Sequence, residues 1–152
     1  MANPAEPPQE LSEPVLEPTD ALAHAVERVG DRWTLLLIHA LLDAPQRFGD
    51  LERTVPGISP NVLSQRLKQL EADGLVVATP YSQRPPRFTY ELSATGRGLA
   101  GPLRLLAQWG AEHAGRHGLR HAACGTPVEA RWWCPTCEVA VDEDAVSDLD
   151  HL

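Results

Sequence analysis

The chain has 152 residues, with 13 Lys or Arg against 21 Asp or Glu and a formal net charge of −8. That length supports one compact domain with a small appendage, and the net charge taken alone argues against a nucleic-acid partner. The distribution reverses that inference. Residues 1–18 hold four acids (Glu6, Glu10, Glu13, Glu17) and residues 138–152 hold six (Glu138, Asp142, Glu143, Asp144, Asp148, Asp150), with no Lys or Arg in either stretch. The remaining 11 acids against all 13 basic residues leave residues 19–137 at +2, so the acidity belongs to the ends.

Residues 1–18 carry five prolines and few large apolar groups, a composition that cannot offset chain entropy and predicts a disordered tail. They show no positive n-region or apolar h-region, which points to the cytoplasm. Leu22, Val26 and Val29 fall at i, i+4 and i+7, predicting an amphipathic helix ended by Gly30. "WTLLLIHALL", Trp33 to Leu42, is apolar on nearly every side and reads as a central buried helix stopped by Pro45; it is too short to span a bilayer. A short helix is expected over Asp50–Val55, ended by Pro56-Gly57.

The next helix is the clearest. Ser59 suits the N-cap, Pro60 the first helical position and Gly74 the left-handed residue past the end, while Leu63, Leu67 and Leu70 form one stripe. "LVVATPY", Leu75 to Tyr81, reads as a strand. A polar turn, Ser82 to Arg87, leads to a second strand, Phe88 to Ser93, with alternating Phe88, Tyr90 and Leu92. The result is a hairpin with a basic tip, Arg84 and Arg87. Leu99, Leu103, Leu106 and Trp109 then mark a last long helix, its start weakened by Gly98, Gly101 and Pro102. The fold class is therefore mainly α with a small antiparallel β-hairpin: a winged helix-turn-helix, with a small zinc-ribbon-like element after it.

Short helix, turn, capped helix and basic hairpin make a helix-turn-helix followed by a wing. Opposite the leucine stripe lie Asn61, Gln65, Lys68 and Ala72, flanked by Ser64, and no acid stands on that face before Glu71. Asn and Gln can pair with adenine in the major groove and Lys can reach guanine or phosphate, whereas carboxylates would face the phosphate charges. Ser59, Asn61, Ser64, Gln65, Lys68, Arg84 and Arg87 are the expected DNA contacts, and double-stranded DNA the expected partner. A solvated polar face with no partner is the plain alternative.

At this point the chain resembles a family. "VGDRWTLLLIHAL", "RFGDLERTVPGISPNVLSQRLKQLEADGLV", "RPPRFTYELSATGRGL" and "LAQWG" occur in the order found in HxlR-type winged helix-turn-helix regulators, bacterial transcription factors related to the MarR-like group. The resemblance spans about residues 20–115. It implies a homodimer joined through its first and last helices and a major-groove helix from Pro60 to Asp73. It also implies an inverted-repeat operator with half-sites about 34 Å apart. The apolar stripes Leu22, Val26, Val29 and Leu99, Leu103, Leu106, Trp109 suit that interface, and suit a monomer core nearly as well. Many members carry a Cys at the start of the first helix, in some of them a thiol switch; the matching position here is Asp20, so that switch does not carry over.

The three cysteines follow the hairpin domain. His121-x2-Cys124-x9-Cys134-x2-Cys137 offers two pairs at knuckle spacing, and three thiolates with one imidazole complete a closed tetrahedral zinc shell of the structural kind. His117 competes with His121 for the fourth place. A redox pair at Cys134 and Cys137 is the rival reading, disfavoured by the lack of a βαβ context. "GRGLAG", Gly96 to Gly101, matches a dinucleotide fingerprint only in its letters, because the preceding strand belongs to an antiparallel hairpin.

The expectation is a disordered acidic tail over 1–18, a DNA-binding and dimerisation domain over 19–116, a zinc-ribbon-like element over 117–141 and an acidic tail over 142–152. The expected activity is a cytoplasmic, nucleoid-associated regulator, a repressor acting as a homodimer, and not an enzyme. A pocket for a small-molecule effector is one reading of the dimer interface near Trp33 and Trp109, and ordinary core aromatics are the other. Two alternatives stand beside this: a winged-helix and zinc-ribbon module contacting the transcription machinery, and a regulator whose thiols and zinc respond to oxidation.

Overall fold

The computed structural model describes residues 18–142. Of the tails expected over 1–18 and 142–152, residues 1–17 and 143–152 lie outside the described residues, while Pro18 opens the first helix. Six helices and five strands follow in order: α1 Pro18–Val29, α2 Arg32–Ala40, β1 Gln46–Arg47, α3 Phe48–Thr54, α4 Pro60–Ala72, β2 Val76–Gln83, β3 Pro86–Leu92, α5 Ala94–Arg97, α6 Ala100–His113, β4 Trp132–Cys134 and β5 Val139–Val141. No helix among the described residues is long and apolar enough to cross a membrane.

The core gathers where α2, α3 and α4 meet the base of the hairpin. Leu37, Ile38, Leu51, Leu63, Leu67 and Leu70 are fully buried there, with Leu41, Val55, Ile58, Leu75, Val76, Leu92 and Leu103 around them. Each such side chain contributes about 2 kcal/mol of apolar transfer. The α4 stripe is thus the middle of the core, as its spacing predicts. Its caps also match. Ser59 Oγ accepts from Val62 N–H at 3.4 Å, and Gly74 takes φ +69°. Leu75 N–H reaches back to Leu70 O at 2.9 Å and Gly74 N–H to Glu71 O at 3.0 Å, closing the last turn.

Four expectations need correction. The segment Trp33 to Leu42 is not buried on every side: Leu36 and His39 are exposed, because only the Thr34, Leu37, Ile38 and Leu41 side meets the core. The short helix begins at Phe48, two residues early, with Asp50 Oδ2 accepting from Arg47 N–H at 3.3 Å. The wing sheet has three strands in the order β1-β3-β2, since Gln46 and Arg47 pair antiparallel with Tyr90 and Thr89. The hairpin turn is tighter than expected, so Arg87 lies on β3 opposite Ser82 while Arg84 stays at the tip.

The last long helix, α6, starts at Ala100 with Leu99 as its N-cap, and a separate short helix, α5, precedes it, ending at Arg97 with Gly98 as its C-cap. Ser93 caps α5: its Oγ accepts from Gly96 N–H at 3.0 Å and donates to Gly74 O at 2.6 Å. Gly96 is buried, and a Cβ there would sit 2.2 Å from Leu75 O. The first glycine of "GRGLAG" is therefore required by packing against the start of β2, not by a phosphate. Gly96→Ala must push backbone against backbone. We expect it to destabilise the chain by about 2 kcal/mol, as overpacking does, measured as a lowered urea midpoint at unchanged m-value; an unchanged midpoint would refute the contact.

Candidate nucleic-acid interface

α4 is oriented from its inner side. With Leu63, Leu67 and Leu70 sunk in the core, Asn61, Gln65 and Lys68 are exposed on the outer face and Ser64 is half-buried beside them. The helix has no acid in its first turn, so no carboxylate there offsets its positive dipole end. Ser59 is exposed but its hydroxyl oxygen is already the cap; only its proton is free for another acceptor. Gln69 is turned away, donating to Asp73 Oδ1 at 3.0 Å.

The wing stands beside this helix. Arg84 and Arg87 are both exposed. A further cation joins them that sequence reasoning missed: the Arg47 guanidinium lies 4.6 Å from the centroid of the Tyr81 ring. This fixes the start of α3 to β2. Arg47, Phe48, Tyr81, Arg87, Phe88 and Tyr90 line a cleft of about 350 Å³ between them. No local signal marks Arg47 in the sequence, because its partner is a strand 34 residues away.

Asp31 sets how α4 sits on α2. Its Oδ1 accepts from Trp33 N–H at 3.0 Å and Thr34 N–H at 3.2 Å, capping α2, and stands 3.4 Å from Arg66 Nε on α4. Arg66 Nε is buried yet makes no hydrogen bond, so the pairing is electrostatic rather than a directed contact. Burial pulls the Asp31 carboxyl upward. The hydrogen bonds from Thr34, the Arg66 charge and the Trp33 N–H outweigh it and hold the group below its ordinary range. Asp31 immediately before a helical run is a legible cap signal; its link to Arg66 is not.

The residues expected at the dimer interface divide into two sets. Leu103 is buried in the protomer, and Val29 and Leu99 pack partly against its core. Leu22, Val26, Leu106 and Trp109 remain 66%, 56%, 52% and 58% exposed. Between α2 and α6 runs an apolar groove of about 450 Å³ lined by Leu35, Leu36, His39, Leu103 and Leu106. Trp33 and Trp109 line neither this groove nor the cleft beside Arg47. Trp33 packs partly against the core and Trp109 stacks on His113 at 4.2 Å.

The expected zinc ligands form two pairs. His121 Nδ1 is 3.2 Å from Cys124 Sγ, and Cys124 Sγ is 3.2 Å from Thr126 Oγ1. Hydrogen bonding from Thr126, then from His121, lowers the Cys124 thiol to about 7. Cys137, by its backbone N–H and its side chain, and the Thr136 backbone lower Cys134. All three cysteines are free, and among the described residues no three His, Cys, Asp or Glu side chains converge on one point. His117 is exposed on the approach to the first pair.

Comparisons with known proteins agree with this geometry. Residues 28–118 match the model of the HxlR-like helix-turn-helix family. An HTH-type transcriptional regulator of Mycobacterium tuberculosis is 38% identical over 123 residues, covering 78% of this chain and 77% of its own. The crystal structure of the HTH-type transcriptional regulator ytcD, a Bacillus subtilis protein, superposes with a TM-score of 0.58 at 38% identity, over 62% of this chain and 97% of that one. The structure of a transcription factor from Pseudomonas aeruginosa gives a TM-score of 0.65 at 30% identity, over 83% and 88%.

Asp31→Ala removes both the cap and the tie to α4, and we expect a loss of about 1 kcal/mol in denaturant unfolding at neutral pH. Because the folded-state pKa is depressed, this contribution is present above the ordinary carboxylate pKa, about 4, and is lost as pH falls through the folded value. The stability difference between wild type and Asp31→Asn should therefore shrink in acid. A difference that stays constant with pH would show that the carboxylate charge is irrelevant.

Proposed function

The chain belongs to the HxlR-like helix-turn-helix family, and on that footing we propose that it acts as a homodimeric repressor reading an inverted-repeat operator. Its relatives are transcriptional regulators, not enzymes, and its fold is a helix-turn-helix DNA-binding fold. The observation that carries the finer reading is the outer face of α4. Asn61, Gln65 and Lys68 stand exposed in one row, free of acids, at the amino-terminal two-thirds of a helix whose inner face is locked in the core. Asn61 and Gln65 have the donor and acceptor pair that fits adenine, and Lys68 fits guanine or a phosphate. Arg84 and Arg87 on the wing, with Arg47 behind them, add backbone charge neutralisation.

Dimerisation is supported by Leu22, Val26, Leu106 and Trp109, large apolar side chains left open on the first and last long helices. A two-fold pair presents two α4 helices, and operator symmetry follows from protein symmetry. Repression requires only that the bound dimer occupy DNA that polymerase needs. The working compartment is then the bacterial cytoplasm.

Fluorescence anisotropy with DNA from upstream of its own gene, against scrambled DNA across a salt series, tests the reading. Gln65→Ala should lose about 1–3 kcal/mol on the specific site and leave scrambled DNA binding unchanged. Lys68→Ala, if on a phosphate, should weaken both and reduce the salt slope by about 1. Equal, weak binding to specific and scrambled DNA, repeated after genome-wide selection, would favour docking on the transcription machinery instead.

The interface has its own test. Leu22→Asp with Leu106→Asp should convert a dimer to a folded monomer in sedimentation equilibrium. Operator affinity should fall with it, while helical content stays the same. A variant that remains dimeric would place the interface elsewhere.

A further inference from the structure

Residues 119–142 contain no buried side chain. Trp132, Trp133 and Val139 are 57%, 62% and 51% exposed, and only Cys134 and Val141 reach half-burial. A stretch of this size with no core has no apolar source of stability. Its backbone is nevertheless organised as two turns of the same construction. In the first, Gly125 N–H donates to His121 O at 2.8 Å, and Gly125 adopts φ +71°. In the second, Glu138 N–H donates to Cys134 O at 2.9 Å, and Glu138 adopts φ +56°. Glu138 is the sole non-glycine with positive φ among the described residues, a conformation that L side chains rarely take.

Each turn carries a ligand-type side chain at its first and fourth positions, His121 with Cys124 and Cys134 with Cys137, just before the left-handed residue. Each is also closed by antiparallel pairing. Arg120 bridges Pro127 around the first, and Cys134 pairs with Val139 around the second. Two such turns present four donors of a type, three sulfurs and one imidazole nitrogen, that complete a tetrahedral shell for a thiophilic divalent cation and leave no open position. The pairs stand apart here, and metal binding would join them, supplying the folding free energy that the missing core does not.

We propose that the two matching turns at His121–Gly125 and Cys134–Glu138 are the halves of a structural zinc site, with His121, Cys124, Cys134 and Cys137 as ligands. This stands apart from the DNA-reading face and does not depend on it.

The test uses the full chain, expressed with zinc in the medium and purified with a reductant and no chelator. Elemental analysis should give one zinc per chain. Replacement by Co²⁺ should give strong visible absorption of a tetrahedral ion together with thiolate charge-transfer bands. Cys137→Ser should lower zinc affinity by at least about 100-fold, and His121→Ala by a smaller factor. His117→Ala should match wild type. Far-UV circular dichroism checks that α1–α6 persist in each variant, and the wild-type Co²⁺ spectrum gives a readout that needs no variant. A metal-free protein with three reactive thiols, an octahedral Co²⁺ spectrum, a Cys134–Cys137 disulfide in the purified chain, or dependence on His117 in place of His121 would each overturn the assignment.

Discussion

The packing of Leu63, Leu67 and Leu70 into the centre of the core is the constraint from which the rest follows. These three positions fix the rotation of α4 about its own axis, and that rotation decides which side chains can face a ligand. Asp31 adds an electrostatic tie from α2 to Arg66 of α4, through a carboxylate that also caps α2. The Gly74 turn then sends the chain straight from the end of α4 into β2, so that the wing joins α4 through a tight connection. Specific reading of DNA demands such rigidity, because a bidentate contact tolerates little misplacement.

The protein separates its charges along the sequence. Its acids concentrate at the two ends, and residues 19–137 carry a slight positive excess. Net charge is a poor guide to partner in a chain built this way, since binding responds to the local field within about 8 Å at physiological salt. The apolar residues show a similar division. Leu103 completes the protomer, whereas Leu22, Val26, Leu106 and Trp109 complete nothing within it. A helical stripe read from sequence cannot distinguish these roles, because both require the same spacing.

What was legible in the sequence was local. Ser59, Pro60 and Gly74 announce the ends of α4 by backbone chemistry confined to a few residues, and the alternation Phe88, Tyr90, Leu92 announces a strand. The pairing of His121 with Cys124, each within one turn of the other, is equally local. What was hidden depends on partners distant in the chain. β1 is two residues long and exists only because β3 lies alongside it. Arg66 and Arg47 acquire their roles from Asp31 and Tyr81, each about 35 residues away. The close approach of Gly96, in α5, to Leu75 is likewise recorded by no periodicity. The exposed flank of α2 was misread for the opposite reason: a run of leucines looks buried throughout, though only one side of the helix has a neighbour.

The hydroxyl of Ser93 joins two distant points, accepting from Gly96 and donating to Gly74. It therefore ties the two ends of the hairpin together at the neck, next to the last turn of α4. Seen mechanically, the wing is a cantilever clamped at its root. A load applied at the Arg84 tip is met at this clamp before it reaches the last turn of α4.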